Sequence, residues 1–503
     1  MKNESSRALA ADTAAPPRAA VGRSGHDLDP DDWPALRAQG HRMLDDVFDY
    51  LQHIRSRPVW RPIPPSARAR LHRPLNAAPV ELAVVHRRFI DEVLPYALGN
   101  VHPGFMGWLH GAGTPVGMLA EMVAAGLNAN LGGRDQMPVE VERQVVRWMA
   151  ALFGLPDSAG GLFVTGTSMA NLIGVLAARR AALGEALRRD GVAADGKRLV
   201  GYASTAAHCS LGRAMDMCGL GSNALRRVPV NPAHQIDVAA LRRAIAEDQA
   251  SGYTPFFVAG TAGTADTGAI DDLAAMAELA AANGLWFHVD GACGALAILA
   301  PDLASRLAGI ERADSLAFDF HKWGQVPYDA GLILLRDKAR LEETFAVPAA
   351  YLRREQLGMA AGAPWPCDLG PDLSRGFRAL KVWYTLQVYG SEGLGRMISG
   401  CCALARHLAD QILAVPQLEL MAPVALNVVC FRYRCSAADR INGEIAVALQ
   451  ESGAVAPSTT IINGSVVLRA AIVNHRTTRE DVGALLEAVL DVGATRAVME
   501  ASA

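Results

Sequence analysis

The stretch WFHVDGACGALAILAPDLASRLAGIERADSLAFDFHKW, from Trp286 to Trp323, decides the fold of this 503-residue chain. It begins in an apolar run at 285–289, which predicts a buried strand that ends at Asp290. A helical segment and a second short strand at 315–318 are predicted next, and Lys322 follows among apolar and aromatic neighbours. Because ligands of open α/β sheets bind at the carboxyl ends of strands, we expect Asp290 and Lys322 to face one crevice.

An acid and a lysine that share a crevice are what pyridoxal 5'-phosphate chemistry requires. The lysine amine bonds covalently to the cofactor, and the acid keeps the pyridine nitrogen protonated so that the ring can accept electrons. Each residue alone is a weak signal, because a strand-end aspartate is commonly a helix cap or a loop residue. A His–Lys pair is commonly a solvated turn. The order of the two motifs along the chain carries the prediction.

The succession of HVDGA at 288–292, ADS at 313–315 and HKW at 321–323 resembles the signature of the group II pyridoxal-phosphate-dependent decarboxylases. This family includes the aromatic-amino-acid and glutamate decarboxylases, and the resemblance extends over about 30–490. It implies an α/β chain of fold type I, the aspartate aminotransferase-like fold of pyridoxal-phosphate-dependent transferases. That fold has a large domain on a mostly parallel seven-stranded sheet, a smaller C-terminal α/β domain and an N-terminal helical arm. The resemblance also implies a homodimer.

The amino-acid composition limits the classes of protein to which this chain can belong. With 51% hydrophobic and 20% charged residues, the chain can bury a large core and form more than one domain. Its formal net charge of −3 provides no electrostatic footprint for nucleic acid or an anionic membrane, so we expect a small-molecule partner. The family resemblance implies that this partner is an amino acid substrate. Eight cysteines without a CxxC pair predict free thiols, with neither disulfides nor a metal site. With no apolar run long enough to span a bilayer and no signal-peptide core, we expect a cytoplasmic protein.

Patterns along the chain predict four parts. Residues 1–27 lack apolar periodicity and predict a disordered tail. In 28–110, an acidic segment that ends at Trp33 predicts the start of a helix, and four prolines at 58–65 then force extended backbone, which favours an arm packed on a partner subunit. Strands that alternate with helices predict a mostly parallel sheet in a large domain at 111–390. A small domain is predicted at 391–495.

The run GLFVTGTS at 161–168 passes from an apolar strand into a turn that opens a helix at Met169. Free backbone N–H groups at a helix start form a phosphate site, so Thr167 and Ser168 are predicted to hold the cofactor phosphate. The run is neither a P-loop nor a dinucleotide fingerprint. It is similar to the family pattern Gly-x-Ser-x-Ala-Asn at Gly166, Ser168, Ala170 and Asn171.

The resemblance assigns further residues by position. It implies that His208 stacks on the cofactor ring and that Tyr351, in a mobile loop at 345–370, donates a proton. The predicted catalytic set is therefore Lys322, His208, Asp290 and Tyr351. The same resemblance adds four residues to the predicted cofactor site, namely Thr264, Ala292, Asp319 and His321.

The run HPGFMGWLHG at 102–111 is similar to the HPxF segment that borders the substrate in this family. Phe105 and Trp108 would provide apolar walls for an aromatic side chain, whereas His110 and Arg134 would suit an acidic one. We expect decarboxylation of an L-amino acid, aromatic in the first place, to the amine and carbon dioxide.

Other activities stay open on the same scaffold. They are decarboxylation of glutamate or aspartate, aldehyde-forming oxidative deamination, and transamination. A non-catalytic relative is disfavoured, because a scaffold has no use for an acid and a lysine in one crevice.

Overall fold

The computed structural model describes residues 28–193 and 196–501, so the predicted tail at 1–27 lies outside it. The N-terminal segment contains helices α1 (Trp33–Gln52), α2 (Pro65–Arg70) and α3 (Leu82–Glu92) and the short strand β1 (Phe105–Met106). Helix α1 begins where the acidic segment predicts, because the Asp32 carboxylate accepts a hydrogen bond from the Ala35 N–H at 2.9 Å.

A seven-stranded sheet forms the centre of the large domain. Its strands run in the order β2, β8, β7, β6, β5, β3, β4. The elements of this part, in chain order, are α4 (Pro115–Leu127), α5 (Met137–Leu152), β2 (Gly160–Val164), α6 (Thr167–Leu183), α7 (Leu187–Asp190), β3 (Leu199–Ser204), α8 (Cys209–Met217), β4 (Leu225–Val228), α9 (Val238–Ala250), β5 (Thr254–Thr261), α10 (Leu273–Asn283), β6 (Trp286–Asp290), β7 (Ser315–Asp319), β8 (Gly331–Leu335) and α11 (Ala339–Phe345).

Strand pairing confirms the mostly parallel seven-stranded sheet. The pairs β4–β3, β3–β5, β5–β6 and β6–β7 are parallel, whereas β8 runs antiparallel to both β7 and β2. Parallel neighbours bring the carboxyl ends of β5, β6 and β7 to one edge, as required for a ligand site there.

The segment between β6 and β7 that was predicted to be helical consists of short 3₁₀ pieces and contains no α-helix. The chain forms three short 3₁₀ turns at 295–299, 304–307 and 310–312. Pro301 and Gly309, the latter with a φ of 99°, interrupt any longer helix in this stretch.

The C-terminal part builds a second sheet in the order β1, β11, β12, β10, β9. Strand β1 pairs in parallel with β11 through Phe105 and Ala456, and the other pairs are antiparallel. The N-terminal segment thus joins the C-terminal sheet, an arrangement that the sequence did not predict. The remaining elements are α12 (Arg378–Ala414, with a break at Gly390), β9 (Leu418–Leu420), β10 (Val428–Tyr433), α13 (Ala438–Ser452), β11 (Ala456–Ile462), β12 (Ser465–Ala471) and α14 (Arg479–Ala501).

No helix within 28–193 or 196–501 combines the length and the apolar character needed to cross a membrane.

A buried ion pair fixes strand β2 against the helices behind it. Arg375 and Glu142 are almost completely buried, and their Nη2 and Oε1 atoms lie 2.6 Å apart. The same guanidinium donates to the Phe163 carbonyl at 2.8 Å, and Glu142 accepts from the Phe163 N–H at 3.3 Å. Because Phe163 lies near the end of β2, this pair positions the turn that leads into α6.

We expect Arg375→Met to lower the free energy of unfolding by about 3–5 kcal/mol, because it leaves the Glu142 carboxylate buried without its cation. The double variant Arg375→Met/Glu142→Leu should recover most of that loss, since no charge then stays buried. Urea unfolding followed by circular dichroism measures both values. Equal stability of the single and double variants would contradict this account.

Candidate active site

A cavity of about 550 Å³ lies at the carboxyl ends of β5, β6 and β7. Three parts of the chain line it, which are the large domain, the N-terminal segment after β1, and strands β11 and β12. Of the fourteen residues predicted for the site, the cavity wall includes ten, namely Trp108, His110, Thr167, Ser168, His208, Asp290, Ala292, Asp319, His321 and Lys322.

Asp290 ends strand β6 and is 3% exposed. Its Oδ1 accepts a hydrogen bond from the Ala292 N–H at 3.1 Å, and its Oδ2 accepts from the Asn171 side-chain amide at 2.9 Å. These two hydrogen bonds fix the orientation of the carboxylate in the cavity. The cavity therefore contains a fixed anionic group that is able to pair with a protonated ring nitrogen.

Lys322 reaches the same cavity from the turn after β7. Its Nζ lies 3.1 Å from Asp319 Oδ2. Burial alone lowers the pKa of Lys322, but nearby acidic groups outweigh that effect, and the net pKa is raised. Burial also raises the pKa of the Cys293 thiol, so Cys293 is neutral at pH 7, and Asp319 and Asp290 supply the charges that act on the lysine. At neutral pH the lysine is therefore an ammonium ion until a ligand takes its proton.

The start of α6 forms the far wall of the cavity. The Thr167 N–H donates to Asp319 Oδ1 at 2.8 Å, while the buried Thr167 Oγ1 has no hydrogen-bond partner among the described residues. Ser168 lines the cavity beside it. A helix N-terminus with an unused hydroxyl attracts an anion such as a phosphate.

Two histidines border the cavity in different ways. His208 caps helix α8 and is exposed, with Nδ1 2.8 Å from Ser210 Oγ. His321 is buried, and its Nδ1 accepts from the Ala330 N–H at 3.1 Å. Burial lowers the pKa of His321, so its ring is neutral at pH 7 and its Nε2 carries the hydrogen.

An aromatic cluster forms another part of the cavity wall. Trp108, at 50% exposure, and His110 line the cavity, with ring centroids 6.2 Å apart. Tyr328 meets His110 edge-on at 6.0 Å. Burial, followed by the charge of Lys322, lowers the pKa of His110, so this imidazole is neutral at pH 7.

Four predicted residues lie outside the cavity wall. Phe105 is buried in β1 and stacks behind His110 at 5.9 Å. The Thr264 hydroxyl lies 2.9 Å from the Thr267 hydroxyl and accepts from a backbone N–H, so it is used within its own turn. The remaining two are exposed. The Arg134 guanidinium lies over the Trp365 ring at 4.4 Å, and Tyr351 is 74% exposed in a 3₁₀ turn.

The cavity also contains residues to which the sequence assigned no role. Arg469 from β12 is 5% exposed, and its Nε donates to the Ala265 carbonyl at 2.9 Å. Asp266, Cys293, Tyr328, and Ser458 and Thr459 from β11 also line the cavity. Local sequence patterns do not show that residues of β11 and β12 reach the site, because strand pairing between distant parts of the chain brings them there.

Pyridoxal 5'-phosphate carries a phosphate, a ring nitrogen and an aldehyde, and this cavity provides a matching group for each. The unused Thr167 hydroxyl suits the phosphate, the buried Asp290 carboxylate suits the ring nitrogen, and the Lys322 amine suits the aldehyde. Together with the strand order of the large sheet, this fit defines a pyridoxal-phosphate-dependent enzyme of fold type I. The chain belongs to the pyridoxal-dependent decarboxylases, whose conserved-domain model matches residues 88–434. It is therefore an amino acid carboxy-lyase.

Comparison with individual relatives extends over most of the chain. It is 32% identical over 462 residues to an aromatic-L-amino-acid decarboxylase of Bacillus atrophaeus. This alignment covers 89% of this chain and 93% of the relative. The chain is 30% identical over 478 residues to a phenylacetaldehyde synthase of Arabidopsis thaliana, covering 89% and 94% respectively. The solved structure of Oryza sativa TDC with PLP and tryptamine is 25% identical and superposes with a TM-score of 0.85, covering 94% of this chain and 100% of that one.

The activities of the relatives differ in substrate and in product. Decarboxylases of tryptophan, tyrosine and histidine occur among them beside the aldehyde-forming synthases. Family membership therefore establishes an amino acid decarboxylase and leaves the side chain of its substrate to be argued from the cavity.

The raised pKa of Lys322 generates a prediction for the apoenzyme. The free amine fraction grows about tenfold per pH unit below the pKa, so covalent capture of the cofactor should accelerate with pH over roughly 6.5–8.5. Asp319→Asn removes the charge that holds the proton yet keeps an oxygen for the Thr167 N–H, and it should speed capture at a given pH. Stopped-flow absorbance at saturating cofactor measures the rate.

Asp337→Asn is the matched control, because Asp337 lies outside the cavity and pairs with Arg340. It should leave the pH profile unchanged. A pH-independent rate in the native protein would show that Lys322 is not protonated.

Proposed function

We propose that the chain converts an aromatic L-amino acid into the corresponding amine and carbon dioxide. The observation that carries this proposal is the uncharged aromatic cluster of Trp108, His110 and Tyr328, which lines the same cavity as Lys322. When bound, pyridoxal 5'-phosphate supplies an electron sink for the bond that releases carbon dioxide.

Different residues of the chain would bind the cofactor and keep its ring nitrogen protonated. Lys322 would hold the cofactor covalently and release it to the amino group of the substrate, and Asp290 would keep the ring nitrogen protonated by charge pairing. Thr167 and Ser168 hold the phosphate at the start of α6. His208 would stack on the ring face, a role that its position in the cavity wall supports.

The substrate side chain follows from the walls of the cavity. Trp108 is half exposed to the cavity, with Phe105 and His110 stacked on or near it. Burial of an aromatic ring against such a wall contributes roughly 2 kcal/mol or more. The neutral imidazole of His110 is also able to form one hydrogen bond with a polar substituent on the substrate ring, either as donor or as acceptor.

An acidic substrate is less well supported. Arg134 was the predicted cation for its side chain, but its guanidinium stacks on Trp365 outside the cavity. The lowered pKa of His110 leaves that ring without charge. Arg469 is cationic and lines the cavity, yet every L-amino acid brings one α-carboxylate that this residue can pair with. It therefore gives no preference for glutamate or aspartate.

Catalytic efficiency on tryptophan, tyrosine, phenylalanine, glutamate and aspartate tests this assignment. We expect aromatic substrates to lead, and Trp108→Ala to lower their kcat/KM roughly 30-fold through loss of ring burial. Trp108→Phe is the matched control and should retain most of the efficiency. Arg134→Ala should change nothing. A leading acidic substrate whose preference disappears in Arg134→Ala would establish the acidic assignment instead.

Aldehyde formation is a second candidate, because one observation favours it. Tyr351, the predicted proton donor, is 74% exposed and lies outside the cavity of its own chain. Decarboxylation coupled to oxidation would consume one molecular oxygen and one water per amino acid and give carbon dioxide, aldehyde, ammonia and hydrogen peroxide. A position of Tyr351 outside the cavity would favour this outcome over protonation to the amine. A phenylacetaldehyde synthase is among the relatives.

Product analysis separates the two reactions. We expect native protein to release amine and carbon dioxide in equal amounts, and Tyr351→Phe to shift part of the product to aldehyde and ammonia, because the phenol proton is lost. Quantifying all four products from one aromatic substrate in air makes the comparison. Aldehyde as the main product of the native protein would replace the decarboxylase proposal.

We also propose that the enzyme works as a cytoplasmic homodimer in which the N-terminal arm packs on the partner subunit. Apolar side chains of α3 and α4 are exposed in the single chain, among them Val85, Phe89, Met122 and Leu127. None of the residues of α3 is buried within its own chain. Such faces need a protein surface to cover them. Sedimentation equilibrium that yields the mass of one chain would contradict the dimer.

A further inference from the structure

A chain of buried hydrogen bonds connects the two groups that flank the cofactor volume. Asn171, on the inner face of α6, is completely buried. Its side-chain Nδ2 lies 2.9 Å from Asp290 Oδ2 and also 2.9 Å from Ser210 Oγ. Ser210 Oγ in turn lies 2.8 Å from His208 Nδ1. One amide group therefore contacts Asp290 directly and His208 through a single hydroxyl.

The series of hydrogen bonds continues behind Asn171, away from the cavity. Its Oδ1 lies 2.9 Å from Nε2 of His288, a residue on β6 with no exposed surface. His288 Nδ1 lies 2.8 Å from Ser315 Oγ on β7, and Ser315 Oγ lies 2.8 Å from Trp286 Nε1. Neither His288 nor Ser315 lines the cavity.

The chemistry of the two ends sets the direction of every bond. The Trp286 indole only donates, so Ser315 Oγ accepts from it and gives its own hydrogen to His288 Nδ1. His288 then carries its hydrogen on Nε2 and donates to Asn171 Oδ1. Burial lowers the pKa of His288 to about 3, consistent with a neutral ring that has one N–H.

The other end enforces the same direction. The Asp290 carboxylate only accepts, so the amide nitrogen of Asn171 must face it, with the second hydrogen directed to Ser210. The Ser210 hydroxyl then donates to His208 Nδ1, which also accepts from the Ser210 N–H at 3.3 Å. His208 thus carries its hydrogen on Nε2, which lies 4.0 Å from Cys209 Sγ.

Packing leaves little freedom for this arrangement. A Cβ at Gly174, one turn after Asn171 on α6, would lie 2.9 Å from His288 Nδ1, so only glycine admits the ring there. The Phe257 ring stacks on the other side of His288 at 5.6 Å. The imidazole is therefore clamped between helix and sheet with both nitrogens bonded.

We propose that Asn171 and His288 are positioning residues, with Asn171 presenting its amide hydrogens to Asp290 and Ser210 and His288 fixing the orientation of that amide. His288 touches neither cofactor nor substrate and acts through Asn171. This inference rests on the proposed role of Asp290 toward the ring nitrogen. It assigns a function to a histidine that the HVDGA run otherwise leaves without one.

The test measures binding instead of turnover. The dissociation constant of the apoenzyme is determined for pyridoxal 5'-phosphate and for its analogue with carbon in place of the ring nitrogen. The ratio of the analogue value to the cofactor value reports only the contact between Asp290 and the ring nitrogen. A general loss of structure weakens both ligands equally and leaves this ratio unchanged.

We expect Asn171→Leu to lower the ratio about tenfold, since one hydrogen bond to a charged group is lost. His288→Leu should lower it severalfold from a distance. His288→Gln should stay within about twofold of the native ratio, because its amide N–H is able to replace Nε2–H as donor to Asn171. A native ratio in His288→Leu, with both ligands equally weakened, would overturn the proposal.

Two further variants keep the test decisive. If His288→Leu does not fold, Ser315→Ala removes the donor to His288 Nδ1 and should also lower the ratio, whereas Ser315→Thr retains the hydroxyl and should preserve it. A native ratio in Ser315→Ala would then overturn the proposal. Asp290→Ala tests the underlying role separately. Its ratio should fall close to one, and a native ratio there would show that Asp290 itself does not face the ring nitrogen.

Discussion

The site depends on the carboxylate of Asp319, which contacts both the start of α6 and Lys322. One oxygen accepts the Thr167 N–H at the start of α6, and the other lies 3.1 Å from Lys322 Nζ. The predicted phosphate end and the predicted aldehyde end of the cofactor volume are thereby held at a fixed separation by a single buried group. Because a carboxylate is stabilised both by a helix N-terminus and by an ammonium ion, Asp319 tolerates its burial.

The charge of Asp319 also affects the protonation of Lys322 in the cavity. Asp319 and Asp290 together favour the protonated form of Lys322 against the effect of burial. The rings of His110 and His321, which line the same cavity, are neutral at pH 7, because burial lowers the pKa of each. The cavity thus confines its charge to a few groups and surrounds them with polar but uncharged side chains, which suits a substrate with an apolar ring.

The walls of the cavity come from three parts of the chain, and their assembly depends on one short pairing. Strand β1 adds to the edge of the C-terminal sheet beside Ala456, and the backbone that follows carries Trp108 and His110 to the opening. Strand β12 contributes Arg469 to the same volume from the C-terminal side. The wall that we propose for the substrate is therefore a product of contact between the N-terminal and C-terminal parts. The wall that we propose for the cofactor, with Thr167, Asp290 and Lys322, belongs to the large domain.

The sequence by itself determined the parallel sheet and the positions of Asp290 and Lys322 at its carboxyl edge, because apolar runs, strand-end acids and small residues act over a few neighbouring positions. Local patterns could not decide which distant strands pair, so the antiparallel β8 and the entry of Arg469 into the cavity emerged only from the tertiary structure. They also could not decide where a long or polar side chain finds its partner. Arg134 lies on Trp365 because an aromatic face was within its reach, and the Thr264 hydroxyl turned inward because a second threonine stood three residues away. Such choices depend on competition among neighbours in space, and that competition exists only once the chain has folded.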